Sequence, residues 1–225
     1  MSNATPVSNT ELLLLVVGFI IFVAAFFGGL LWLIVKDSRK ATANLRALAE
    51  QLGLEFAASK GLFKTGAKAM GTLRGKPVEV FTFTTGAGNS RATWAAVSAR
   101  PTSTGGLTFT LSGRNLLTKM GEWFGRHGLV SGDPDFDATW FVQSNGTEFL
   151  TTALLPELRV KLMAAHAAGS HGSFTLADDL VKYAEIGRFS DAARCARIPA
   201  LMDIVCDLAD IAEVAPDSDG SVPRG

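Results

Sequence analysis

From Leu12 to Val35 the chain reads LLLLVVGFIIFVAAFFGGLLWLIV, without one polar side chain. At 1.5 Å per residue a helix of this run is about 36 Å long, enough to cross the roughly 30 Å hydrocarbon layer of a bilayer with some tilt. Helices buried in soluble cores are seldom apolar on every face over such a length. The preceding segment MSNATPVSNTE lacks Lys and Arg, and no Ala-x-Ala-like cleavage site follows. The run therefore reads as a retained transmembrane helix and not as a secretory signal. The 225 residues leave room for one compact domain of about 170 residues and a tail.

Orientation follows from the flanks, because positive side chains resist translocation. Residues 1–11 carry only Glu11, whereas Lys36, Arg39, Lys40 and Arg46 follow the apolar run. The expected arrangement is a short extracytoplasmic N-terminus over 1–11, a single-pass transmembrane helix over 12–35 and a cytoplasmic C-terminal domain in the cell membrane. Trp32 suits the interfacial ring at the inner end. Cys195 and Cys206 are the only cysteines, which excludes a disulfide-rich scaffold and suits a reducing compartment. Ala24 with Gly28, and Ala25 with Gly29, form small-xxx-small pairs that would let two membrane helices approach closely.

Beyond the membrane run, Leu45, Leu48, Ala49 and Leu52 fall at helical spacing and predict a helix over 41–52 within a juxtamembrane linker, 36–53. Gly53 stands where a helix C-terminus is commonly capped. Residues 54–214 are expected to form the domain, and the polar segment 215–225 a disordered tail. Apolar runs around Val78–Phe83, Trp94–Val97 and Leu107–Leu111, punctuated by glycine, asparagine and proline, predict strands paired as an antiparallel meander. A helix is predicted at 115–124, a loop at 127–132, a strand at 136–143 and a helix from Pro156 to Gly169. A hairpin then turns at Asp178 and Asp179. Ser190 is placed to cap a final helix toward Val214, which Pro199 should kink or interrupt. The fold class is α+β, one N-terminal transmembrane helix followed by an antiparallel-sheet domain with packed helices.

The stretch GDPDFDATWFVQSN, then TTALLPELRVKL and GSFTL, resembles an uncharacterised bacterial family of membrane-anchored proteins. In that family a Gly-Asp-Pro-x-Phe-Asp turn and strand precede a Leu-x-Pro helix. The resemblance covers residues 131–177 by motif and implies a cytoplasmic α+β domain behind one or two membrane helices. It implies no activity.

Asp135, Asp137 and Thr139 fit the D-x-D-x-T string of aspartyl-phosphate phosphotransferases, whose acids stand at the exit of an apolar strand. Here Ser131-Gly132-Asp133-Pro134 precedes them and the strand follows, which favours a turn whose aspartates accept local backbone N–H bonds. The glycine and glutamate that a calcium-binding EF-hand loop requires are replaced by Ala138 and Ser144. His127, His166 and His171 lack the spacing of a zinc site, and His166 suits a helix C-terminus where a positive charge is favourable. The cysteines read as packing residues, and Gly61, Gly66, Gly71 and Gly75 as turns and bulges. No catalytic residue, metal ligand or cofactor is assigned.

The net charge of +0 excludes a generally cationic nucleic-acid binder, and no nucleic-acid partner is expected. Charge is nevertheless segregated: residues 36–130 carry 14 basic and 5 acidic side chains, and residues 131–225 carry 7 and 15. Either the halves fold against each other and compensate, or Lys36, Arg39, Lys40, Arg46, Lys60, Lys64 and Lys68 contact anionic lipid at the inner leaflet. The reading that follows is a non-enzymatic module that binds membrane lipids, another membrane protein or itself. Its alternatives are a membrane-bound hydrolase using Asp133, Asp135 and Asp137, and a structural subunit of a membrane complex.

Overall fold

The computed structural model describes residues 9–58, 66–114 and 129–216, except for the side chains of 9–16 and Asn89. The expected helix at 115–124, His127, Gly61, Lys60, Lys64 and the end of the tail lie outside the described residues. The chain divides into two compact units, residues 1–40 and 41–225.

Helix α1 spans Asn9–Leu52 and covers both the apolar run and the predicted helix over 41–52. Among the described residues it is one helix long and apolar enough to cross a membrane, as a single-pass anchor requires. Phe19, Phe22, Phe26 and Leu31 are exposed on it, as on a helix whose solvent is lipid. Past residue 40, the stripe changes role: Leu45, Leu48 and Ala49 are buried in the core of the second unit. The helix ends where Gly53 turns to φ +67°, with Gly53 N–H donating to Glu50 O and Leu54 N–H to Ala49 O. These two bonds make a Schellman cap, sealed by the buried pair Ala49 and Leu54.

The second unit is built on one eight-stranded antiparallel sheet. Its strands are β1 (Glu55–Ala57), β2 (Lys68–Leu73), β3 (Lys76–Thr85), β4 (Ala92–Ala99), β5 (Phe109–Gly113), β6 (Trp140–Ser144), β7 (Ser173–Ala177) and β8 (Leu180–Ile186). The spatial order is β1-β2-β3-β4-β8-β7-β5-β6. The expected meander holds from β1 to β4 but not into β5. The place beside β4 belongs to β8, and β5 lies between β7 and β6. Two-residue turns close the hairpins at Arg74-Gly75 and at the predicted Asp178-Asp179, all four residues with positive φ, the backbone that matches strand twist.

The registers sort the sheet into two faces. Val80, Val97, Tyr183, Phe174, Leu111 and Val142 follow one another across six strands, and all are buried on the core face. The helices α2 (Pro134–Thr139), α3 (Thr147–Ala153), α4 (Pro156–Ala167) and α5 (Ala192–Glu213) contribute Phe136, Leu150, Leu162 and Leu201 to the same core. Helix α5 packs on β4 and β8, and α4 packs on α5.

Three local expectations change. The predicted strand over 136–143 begins only at Trp140, because Asp133 as N-cap and Pro134 in the first turn start a short helix instead. Asp191, not Ser190, caps α5, accepting from the N–H groups of Ala193 and Arg194. Helix α5 runs through Pro199 without interruption. Its buried stripe Ile198, Leu201, Val205 and Leu208 supplies packing that offsets the missing N–H.

Candidate functional site

The expected lipid-contact residues meet different surroundings. Lys36 is exposed and lies 4.8 Å over the Trp32 ring, and Arg39 and Lys40 are exposed. Arg46 is exposed 5.0 Å over Phe56, whereas Lys68, on β2, is bonded to Glu79 at 3.0 Å across the β2–β3 pair. Ala24, Ala25, Gly28 and Gly29 are exposed on α1, and a Cβ added at Gly28 or Gly29 would meet open space.

Charge segregation is compensated within the second unit. Asp203, Asp207 and Asp210 form a stripe on α5, and Arg74 from the β2–β3 turn bonds Asp203 and reaches Asp207 at 2.6 Å and Asp210 at 3.5 Å. Lys161 of α4 lies 2.6 Å from both Asp203 and Asp207. Buried Lys76 lies 2.7 Å from Asp210 and 2.7 Å from Glu213. Hydrogen bonds that Lys76 donates to these carboxylates raise its pKa, and the bond from Lys76 lowers that of Glu213.

The aspartate string is occupied by backbone donors. The Asp133 carboxylate accepts from the N–H groups of Asp135 at 3.1 Å and Phe136 at 3.2 Å, and that of Asp137 accepts from Ser131 N–H at 2.9 Å. Asp135 is exposed. His166 does fall in the last turn of α4, 5.8 Å from the Trp140 ring and 5.1 Å from His171. Burial, aided by His171, lowers its pKa, which works against the positive charge expected at that helix end. Cys206 is buried and Cys195 half-buried, and burial raises both thiol pKa values. Among the described residues no three side chains of metal-binding type come together.

The second face of the sheet carries two features that sequence reasoning missed. Phe81 and Phe83 alternate with the core-facing Val78 and Val80 on β3, so the second face of this strand is aromatic between Glu79 and Thr85. Two phenylalanines out of phase with Val78 and Val80 were the available signal. Phe83 stacks on Trp94 of β4, with centroids 6.2 Å apart and planes 9° from parallel, and Lys182 of β8 lies 5.1 Å over Phe83. Ile186, paired with Trp94 in register, is 60% exposed. The result is an apolar patch with a cation at its edge, the composition of surfaces that settle at a lipid interface.

Lys182, Thr175, Thr110 and Gln143 continue along the same face by register. At that end lies a cavity of about 330 Å³ between the ends of β5, β6 and β7. Thr108, Thr110, Gln143, Ser144, Asn145 and Thr147 form its polar wall, beside Phe109, Leu129, Leu176 and Ala177. Among the described residues the lining holds no charged side chain.

No protein-family model and no curated protein matches the chain. Among solved structures, it is similar to that of the mycobacterial trehalose monomycolate transport factor A, TtfA. The match has a TM-score of 0.51 at 14% sequence identity and covers 79% of this chain and 97% of that one. At this identity the likeness is one of fold.

Proposed function

We propose that this chain is a non-enzymatic, single-pass membrane protein whose C-terminal domain lies in the cytoplasm and binds lipid. The observation that carries the reading is the patch of Phe83, Trp94 and Ile186 edged by Lys182, aromatic and aliphatic surface left accessible on the sheet. Two further features support it. The fold is shared with a protein whose name makes it a transport factor for trehalose monomycolate, a lipid. The basic flank of the apolar run favours retention of the domain on the cytoplasmic side, with Lys36, Arg39, Lys40, Arg46, Lys60 and Lys64 near anionic headgroups. The reading keeps the chain within the bacterial membrane-anchored family that residues 131–177 resemble.

The test uses the full chain in nanodiscs of phosphatidylcholine and phosphatidylglycerol doped with a photoactivatable phosphatidylcholine. Lipid crosslinks should map to β3, β4 and β8 as well as to α1, and Trp94→Asp with Ile186→Asp should remove those on the sheet. Crosslinks confined to α1 would overturn the lipid reading of the domain. A reporter active only in the cytosol should work when fused after residue 225, and activity of an extracytoplasmic reporter there would overturn the orientation.

A second reading, a subunit of a membrane complex, draws on the exposed small-residue face of Ala24, Ala25, Gly28 and Gly29. Gly28→Leu should then break up an assembly seen by native electrophoresis without releasing the chain from the membrane.

A further inference from the structure

The cavity between the ends of β5, β6 and β7 divides its polar wall into two sets. One set holds the wall in place. Asn145 accepts from Thr108 N–H at 2.8 Å through Oδ1 and donates to Gly106 O at 2.8 Å through Nδ2. The Ser144 hydroxyl donates to Thr108 O at 2.9 Å and accepts from Gly146 N–H at 3.0 Å. These bonds tie the strand end of β6 to the segment that enters β5, so the wall is shaped before any ligand arrives.

The other set is uncommitted. Among the described residues the hydroxyls of Thr108 and Thr110 and the amide of Gln143 make no hydrogen bond. Thr110 and Gln143 are cross-strand neighbours on one face, so their polar groups present together.

We infer that this cavity binds an uncharged, polyhydroxylated group, a sugar of one or two rings. Hydroxyls both donate and accept, so they match threonine hydroxyls and an amide in either orientation. A phosphate or carboxylate would find no counter-charge among the described lining residues and would lose hydration without replacement. Leu129 and Ala177 supply the apolar contact that the C–H faces of a sugar ring use. The volume of about 330 Å³ is at the small end for ligand pockets, which fits a sugar and not a whole lipid. The aromatic patch lies on the same face as Thr110 and Gln143, with Lys182 in the row between them. The sugar assignment stands on the cavity alone; that the sugar is carried on a lipid, with its chains at the patch, rests on the reading above.

The test titrates the full chain in phosphatidylcholine nanodiscs with maltose, followed by saturation-transfer NMR on the sugar protons, with glucose 1-phosphate as the charged comparison. Maltose should receive saturation and glucose 1-phosphate should not. Gln143→Leu and, separately, the near-isosteric Thr110→Val should each weaken maltose about tenfold while leaving the melting temperature within a few degrees. Absence of maltose binding, equal binding of the phosphosugar, or indifference to both substitutions in folded protein would overturn the inference. A second arm replaces part of the phosphatidylcholine with a photoactivatable monoglucosyl diacylglycerol. Crosslinks at β5 and β6 that free maltose suppresses support a lipid-borne sugar. Maltose binding without such crosslinks would keep the sugar site and remove the lipid reading.

Discussion

The ammonium of Lys76 stands 2.7 Å from the Glu213 carboxylate, joining the first residue of β3 to the last residue of α5. Asp210 completes the contact from one turn earlier, also at 2.7 Å. Only 7% of the Lys76 side chain is exposed, whereas Glu213 and Asp210 remain in reach of water. Removing the lysine and removing its partners are therefore unequal changes. Asp210→Asn with Glu213→Gln strands a buried cation and should cost about 3 kcal/mol, whereas Lys76→Met leaves hydrated carboxylates and should cost about 1 kcal/mol. Urea unfolding of the two variants checks the order.

The same pair fixes a pH dependence. Glu213 has a folded pKa below its ordinary value, so its contribution is present above about pH 4.5 and is lost as pH falls through the lowered value. Lys76 has a raised pKa, so its contribution is complete below about pH 10.5 and is lost only as pH rises beyond that. Thermal melts should be flat around neutrality and fall in acid, and Glu213→Gln should flatten the acid limb. An unchanged acid limb in that variant would show the pair contributes nothing.

Neutralising Asp203, Asp207 and Asp210 together should lower stability by roughly 1–2 kcal/mol, with an effect that shrinks in high salt. The pairs with Arg74 and Lys161 are partly exposed, which keeps the figure small. A melting temperature unmoved by the triple change would return the basic half to the lipid alone.

A methyl group at Gly172 would lie 2.2 Å from the carbonyl oxygen of Ala184 and 2.7 Å from the Tyr183 ring. Gly172 N–H also donates to the Tyr183 hydroxyl, which in turn donates to Glu185. Gly172→Ala should cost about 3 kcal/mol or more by displacing backbone in the β7–β8 pair. At Gly146 the added carbon would meet the tip of the Leu107 side chain, which can move, so Gly146→Ala should cost far less. Comparing the two by chemical denaturation tests whether backbone proximity decides.

Asp133→Ala should cost about 1 kcal/mol through loss of the α2 cap, and Asp135→Ala should be nearly neutral. Were Asp135→Asn to abolish a hydrolase activity in folded protein, the aspartates would have a role beyond capping.

What could be read from the chain depended on how local each signal was. The apolar run, the cap at Gly53, the hairpin at Asp178-Asp179 and the final helix toward Val214 are set by residues within a few positions of each other. The order of strands is not, because β4 meets β8 through register partners as far apart as Trp94 and Ile186. The short α2 was hidden by the strand-like run Trp140–Val142 that follows it, into which Phe136 reads although the capping aspartate starts a helix there. The aromatic patch was hidden for another reason: Phe81 and Phe83 read only as part of an apolar strand, and the register shows that they share the face opposite Val80. The cavity draws on three strands and their connections, and no window of sequence contains it.

The position of β8 also governs how this sheet can be made during synthesis. A ribosome that has delivered residues up to Ala99 has supplied β1 to β4, and these can pair as each hairpin emerges. The far edge of β4 then stays bare until residues 181–186 arrive, nearly ninety positions later. During that interval the nascent chain presents an open row of strand N–H and C=O groups beside Val97 and Ala99, the kind of edge that recruits other chains. A membrane helix already inserted near the N-terminus would hold each such edge to a surface, and so limit how many neighbours it meets before its own strand closes it.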